Sequence, residues 1–578
     1  MPKTRRCYFP HALFFVAITF AVVLAGCQQS ANSSSSSTPV SNDLDTTVEF
    51  SWESGAYREE SLDLELSNPS DLPIVYTNDG SLPNAASLRA PSSLIIDSSD
   101  TNRALIGKLA MEIPDFRTIV ADDTLPTATV IRAAALLPDG TIGPVFTNTY
   151  FVHEDLTELF GDIAVVSIVS DPSNLFDYNT GIIAKGAIYD EHRRENERLS
   201  NGNRNLTQAN YTQKGRDWER EATIELFDGS NTLSYEAPCG IRLRGHVSRI
   251  YAQKSFNIYF RDSYGEKKME YVLFGDAATS SDGTPVTSFK SLCLRSGGND
   301  TEMLRYRDSL LQDALGGYDF ATQATRPAIA FLNGEFYGVY SLSEKYSDSY
   351  IESHYGIDSK NVVIFEDGEI DEGTDKDQAL YDELMGFAER NLADGATWEE
   401  FCAAVDVQSM VDCYATQAYI GNIDFHERKN YRVWRARSLD SGNDYGDTRW
   451  RYMIYDLEYS TGLYDQSMTK PDFDTVAQYL ETCPLFASAM RNPEFRMLMR
   501  ERLVDLSENA FESESISSMF DAWWTQWDPW IQMSIKRFAT DSTTPQWSMN
   551  LAKSFFSERA SHIIDLYDKN AAAIASAG

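Results

Sequence analysis

The sequence predicts a multidomain protein in which an all-β sandwich precedes a larger α+β domain. Three observations predict it. The chain has 578 residues, more than a single hydrophobic core serves. Between residues 45 and 153, short runs of alternating hydrophobicity are separated by turn signals. Beyond them, strand-like runs come first and segments of helical period come later, the order of a domain that keeps its sheet apart from its helices. A hydrophobic content of 42% with 12% aromatics is that of a globular chain.

At the N-terminus, Lys3, Arg5 and Arg6 precede an apolar run from Ala12 to Leu24 that ends in Leu24-Ala25-Gly26-Cys27. The run is short for a membrane span and has the layout of a processing segment. It resembles a bacterial lipoprotein signal, which implies removal of residues 1–26 and lipidation of Cys27. Residues 27–44 are Ser-rich and read as a flexible tether. The expected location is the bacterial cell envelope, outside the cytoplasm and anchored to the membrane by lipid.

Residues 45–153 then give the runs Val48–Trp52, Leu62–Leu66, Ile74–Thr77 and Thr129–Ala135, with Asn78-Asp79-Gly80-Ser81 as a turn. They are similar to the immunoglobulin-like module at the C-terminus of chitobiase and hexosaminidase enzymes. No chemistry is visible in this stretch, which reads as a spacer or as a contact to cell wall or glycan.

The larger domain is expected over residues 160–570. It opens with the buried-strand pattern Ile163–Ser170, closed by Asp171-Pro172. A polar stretch at about 187–217 reads as an exposed loop, followed by strands at 222–227, 240–244 and 254–261. Leu332–Leu342 alternates around Asn333-Gly334, a strong hairpin signal. Helical patterns appear at about 301–316, 376–392 and 407–421, and the chain is mainly helical from 484 onward.

Charge narrows the partners. There are 50 Lys and Arg against 86 Asp and Glu, a net of −36, and removal of residues 1–26 with their three basic residues leaves −39. Such a surface repels polyanions and excludes nucleic acid as a partner. Cys239, Cys293, Cys402, Cys413 and Cys483 are odd in number and widely spaced, which is neither a disulfide framework nor a zinc set.

Two segments carry candidate chemistry. The helix ending Ala418-Tyr419-Ile420 stops at Gly421 and releases Asp424 and, six positions on, Asn430 into a loop. Tyr452-Met453-Ile454-Tyr455 is apolar on both faces and ends in Asp456, where a buried carboxylate is costly unless a cation meets it. Phosphotransfer requires that trio: a carboxylate to accept the hydroxyl proton, and an Asn and a second Asp to hold a divalent metal on the phosphates. Asp424 is the candidate base, and Asn430 and Asp456 are the candidate metal ligands. An Asp in a loop is otherwise a turn former, and His426, two residues on, is structural or catalytic.

Further candidates lie upstream. Strand alternation places Lys254 on the inward face with Phe256, Ile258 and Phe260, as a phosphate-binding lysine or a solvated strand end. Asp308, on a helix from Met303 to Leu315, is its candidate partner; pairing with Arg307 is the alternative, and Glu302 is a further carboxylate. Arg244-Gly245-His246-Val247-Ser248 is a strand-to-strand turn, plain or phosphate-covering. Glu344 comes after the hairpin as a nucleotide neighbour or as one half of a surface salt bridge. Trp523, Trp527 and Trp530 recur at helical spacing, as core or as a sugar-stacking face.

These blocks, Ile241–Ser248, Leu332–Glu344, Gly421–Tyr431 and Trp450–Glu458, resemble the CotH family, named for a spore coat protein and regarded as secreted atypical kinases. The family usually carries Asp-Leu-Asp where this chain has Asp456-Leu457-Glu458. The resemblance implies an atypical protein-kinase-like fold with a sheet-rich N-lobe and a helical C-lobe. It also implies ATP with Mg²⁺ or Mn²⁺ as cofactors, a catalytic pair of Asp424 and Lys254, and nucleotide contacts from Arg244, Gly245, Ser248, Lys254, Glu344 and Asp308. The expected activity is transfer of the γ-phosphoryl of ATP to Ser or Thr of extracellular proteins. The alternatives are a non-catalytic surface scaffold with a wall or polysaccharide partner, and a kinase or nucleotidyltransferase acting on a non-protein acceptor.

Overall fold

The computed structural model describes residues 44–98, 124–195, 208–538 and 540–577. The signal segment, Cys27 and all but the last residue of the tether lie outside the described residues. Asp45–Gly578 form one compact unit.

The N-terminal part is a five-stranded sheet ordered Gly55–Tyr57, Phe146–Val152, Thr129–Ala135, Ile74–Thr77, Leu88–Arg89. A two-stranded ribbon, Ser61–Leu64 with Leu94–Asp97, faces it. The alternation seen in the sequence explains the pairing: Leu62, Leu64 and Ile96 of the ribbon share a core with Ile74, Ile131, Ala133 and Tyr150 of the sheet. This part is not set apart from the larger domain. Phe151 packs edge-on against Phe227 and Phe331, with ring centroids 5.5 and 4.9 Å away.

The strand-rich half of the larger domain closes into a seven-stranded barrel. Around it run Ala164–Val169, Arg220–Asp228, Tyr235–Arg244, Ser255–Tyr259, Ser291–Arg295, Glu335–Glu344 and Thr325–Leu332. Every pairing is antiparallel except the seam, where Ala164–Val169 runs parallel to Thr325–Leu332. Ile168, Ile224, Ile241, Phe256, Ile258, Leu292 and Leu294 fill the interior, and closure leaves no free edge. The Asn333-Gly334 hairpin forms as expected, with φ of 48° and 83° at the two turn residues.

A smaller sheet, Glu369–Glu372, Val362–Glu366, Arg432–Ala436 and Arg451–Met453, stands on the helical side. Behind it lies the main core, built on the helices Val407–Ile420, Pro493–Glu508, Ser513–Phe538 and Thr544–Ala577. Trp527 and Trp530 are buried, and Trp523 stacks on Trp527, so the tryptophan stripe is core. Among the described residues, no helix is long and apolar enough to cross a membrane.

Two local expectations are corrected. Gly186–Glu195, within the stretch read as a loop, is helical, since its Arg and Glu residues are good helix formers. The helix expected from 301 begins at Arg307. The preceding residues fold into turns around buried Asp300, whose carbonyl accepts the N–H groups of Met303 and Arg305.

Candidate active site

A cleft of about 1200 Å³ is floored by the outer face of the barrel and walled by the small sheet and the loops beneath it. Strand alternation explains the floor. Leu243, Phe256, Ile258, Leu292 and Leu294 point into the barrel, which leaves Arg242, Arg244, Ser255, Asn257, Tyr259, Ser291 and Arg295 on the cleft face. Arg244 pairs with Ser255 across the ladder. At the adjoining turn, Gly245 has φ 104°, and a Cβ there would lie 2.2 Å from Ser248 Oγ, so only glycine lets Ser248 tuck in.

The loop from Gly421 is set by its own backbone chemistry. Gly421 caps the helix in the left-handed conformation (φ 69°), and the Asn422 side chain accepts the N–H of Asp424 at 3.1 Å. His426 and Lys429 exchange backbone hydrogen bonds of 3.0 and 2.8 Å, which closes a tight turn and returns Lys429 Nζ to within 2.5 Å of Asp424 Oδ1. Buried Glu427 anchors the turn from behind by accepting the N–H of Leu485 at 2.8 Å. Burial pushes its carboxyl up to about 7.

Asn430 and Asp456 both sit on left-handed backbone, each with φ 55°. Such conformations in non-glycine residues are uncommon, are tolerated best by Asn and Asp, and gather at functional sites. Both residues line the cleft with Asp424.

The Asp456 carboxylate forms an ion pair with Arg295 and lies 3.9 Å from Arg244. Arg295 also meets Glu458 at 2.6 Å and Asp308 at 3.6 Å, so one nearly buried guanidinium faces three carboxylates. Burial opposes the charge of Asp456, yet Arg295 and Arg244 hold its pKa below the usual value. Burial, with Asp456 and Asp308 nearby, pushes Glu458 up to about 8 against the pull of Arg295. Glu458, the departure from the usual Asp-Leu-Asp, is accommodated by Gly298, where a Cβ would fall 2.2 Å from Glu458 Oε1.

Of the residues singled out in the sequence, Arg244, Gly245, Ser248, Asp424, Asn430 and Asp456 line this one cleft. Lys254 does not. It is inward, as alternation predicted, but inward is the barrel core: its Nζ donates to the carbonyl of Arg249 at 2.5 Å and lies 4.4 Å from the Tyr211 ring. Asp308 faces Arg295 rather than Arg307, and accepts the N–H of Leu457 at 2.8 Å. Arg307 pairs instead with Asp300 at 3.2 Å. Glu344 is buried outside the cleft, bound to His354 Nε2 at 2.7 Å. Arg295 and Lys429 were not anticipated. Ser291-Leu292-Cys293-Leu294-Arg295 carries the alternation that would have placed Arg295 outward.

The electrostatics of the cleft oppose those of the chain. Lys214, Arg242, Arg244, Arg249, Arg261, Lys290, Arg295, Lys345, Lys429 and Arg432 line it against Glu366, Asp367, Asp371, Glu372, Asp424, Asp456 and Glu458. A protein of net charge −36 thus gathers a basic excess in one cavity, as an anionic ligand requires. Among the described residues, no group of three His, Cys, Asp or Glu side chains forms a ready metal cage.

A family profile described as CotH kinase protein matches residues 241–563. The chain belongs to the CotH kinase family. Comparison with curated proteins returns no match. The CotH match encloses Arg242, Arg244, Arg295, Asp424, Asn430 and Asp456, and membership implies a phosphotransferase of the atypical kinase kind. The first two barrel strands, Ala164–Val169 and Arg220–Asp228, precede the CotH match.

Proposed function

We propose that the protein is a lipid-anchored, extracytoplasmic kinase that transfers the γ-phosphoryl of ATP to Ser or Thr of secreted or cell-surface proteins. The observation that carries this reading is the convergence of Asp424, Asn430 and Asp456 on one basic cleft of an acidic protein. The donor set suits a hard divalent cation: a carboxylate exposed to the cleft, an amide lining the same cleft, and one guanidinium outnumbered by three carboxylates. Asp456 and Asn430 would hold Mg²⁺ or Mn²⁺, which when bound neutralises phosphate oxygens.

Arg244 and Arg295 flank the floor and are the cations for the phosphate chain, in the role the resemblance implied for Lys254. Asp424 accepts the proton of the acceptor hydroxyl as its oxygen bonds to the γ-phosphorus and the bridge to ADP breaks. Lys429, 2.5 Å from that carboxylate, orients it and balances charge on the transferring group.

Two substitutions separate the roles. Asp456→Ala should abolish metal-dependent ATP binding while changing apo stability little, because Arg295 keeps Glu458 and Asp308 as partners. Asp424→Ala should bind Mn²⁺-ATP and lose transfer by on the order of 10² or more. Calorimetric titration beside a transfer assay decides; parental binding and transfer in both variants would leave the scaffold reading in its place. The anchor is tested apart from these, since Cys27→Ser should move the protein from the membrane fraction to the soluble one.

A further inference from the structure

We propose that the acceptor is an acidic protein segment, a Ser or Thr flanked by carboxylates, and that cations on the rim of the cleft at its Asp424 end read those flanks. The inference rests on the phosphotransfer reading above.

The rim carries cations on both sides of Asp424. On the barrel side, Lys214 is exposed and lines the cleft beside the uncharged imidazole of His246; on the opposite side, Lys429 lines it and Arg428 is exposed next to Lys429 on the turn that follows Asp424. Among the described residues, Lys214 and Arg428 have no carboxylate within ion-pair distance, so their charge is free to meet a ligand. The field of Lys214 is felt at His246: burial, together with Lys214, Arg249 and Lys429, holds its imidazole below the ordinary pKa.

The phosphates of a nucleotide do not account for this rim. Arg244 and Arg295 already stand at Asp456, whereas Lys214 and Arg428 lie on exposed loops. A mature chain of net charge −39 repels an acidic segment on average. A cationic rim then does two things at once: it draws the segment to the one place where a hydroxyl meets Asp424, and it sets which flanks are accepted.

The test uses the full mature chain with ATP, Mn²⁺ and three peptides of equal length, their single Ser flanked by Glu, by Ala or by Lys. The Glu-flanked peptide should give kcat/KM about tenfold above the Ala peptide, with a margin that shrinks as salt is added, and the Lys peptide should be poorest. Lys214→Glu combined with Arg428→Glu should erase the preference through KM for peptide and leave KM for ATP unchanged. Preference for the Ala or Lys peptide overturns the proposal. So does a double variant that raises KM for ATP instead, since the rim would then serve the nucleotide. A parent that hydrolyses ATP yet labels none of the peptides overturns the acidic-peptide class alone. A parent that neither binds nor turns over Mn²⁺-ATP in calorimetry overturns the phosphotransfer reading, and this proposal with it.

Discussion

A guanidinium that meets three carboxylates, as Arg295 meets Asp308, Asp456 and Glu458, leaves uncompensated buried charge when it is removed. Arg295→Ala should therefore cost on the order of 3–5 kcal/mol by chemical denaturation and also abolish nucleotide binding. Arg295→Lys should recover part of the stability, since an ammonium restores charge but not the two-pronged geometry. Lys254→Met should leave ATP affinity intact in the folded protein, because the Lys254 ammonium lies against Tyr211 rather than on the cleft. The contrast shows what the sequence made legible at this scale. Alternation placed Lys254 inward correctly, and the spacing picks out Asp424, Asn430 and Asp456, which line one cleft. Which side of the strand faces the ligand depends on closure of the barrel, a long-range fact that periodicity in one strand does not contain.

The turn from Asp424 to Asn430 depends on an element distant in sequence, the helix Pro484–Ala489, whose first N–H groups are met by Glu427. Glu427→Ala should lower kcat by roughly 10- to 100-fold while KM for ATP holds, and Glu427→Gln, which keeps an acceptor, should restore part of the rate. A loss of folded protein with unchanged kcat per folded molecule would refute that role. The same reasoning applies to Gly298, where φ is 58° and a Cβ would meet Glu458; Gly298→Ala should destabilise by about 1–3 kcal/mol, readable as a fall in Tm. Helices with strong periodicity, such as Val407–Ile420, were legible from their pattern and glycine cap. The late start at Arg307 was not, because it depends on how buried Asp300 is satisfied rather than on local propensity.

Across the whole molecule, the N-terminal sheet and the barrel meet at a buried carboxyl. Glu225, on the barrel strand Arg220–Asp228, is fully buried and accepts hydrogen bonds from Ser54 Oγ at 2.5 Å and from the Thr149 N–H at 3.1 Å, with a further bond from the Thr149 hydroxyl. Burial, with Glu236 on the adjacent strand, pushes it up to about 7 from 4.5. The folded value lies above the unfolded one, so this stabilisation is complete below about 4.5 and is lost as pH rises through about 7. The loss should be on the order of 3 kcal/mol between pH 4.5 and 8, and a Glu225→Gln variant should show a flatter Tm against pH. A parent whose Tm is unchanged over that range would show that Glu225 stays ionised in the fold. Alternating runs and turn signals announced the N-terminal strands. They gave no sign of this contact, which joins residues far apart in the chain.

The parallel seam of the barrel has a consequence for synthesis. Ala164 pairs with Ala328, so the strand Ala164–Val169, buried along its whole length in the finished fold, leaves the ribosome on the order of ten seconds or more before the strand that covers its seam edge exists. Through that interval its six residues, Ala-Val-Val-Ser-Ile-Val, present a sticky ribbon of just the composition that joins other chains edge to edge. A nascent chain of this topology depends on being shielded until residue 332 has emerged, and any pause in translation between the two strands lengthens the exposure.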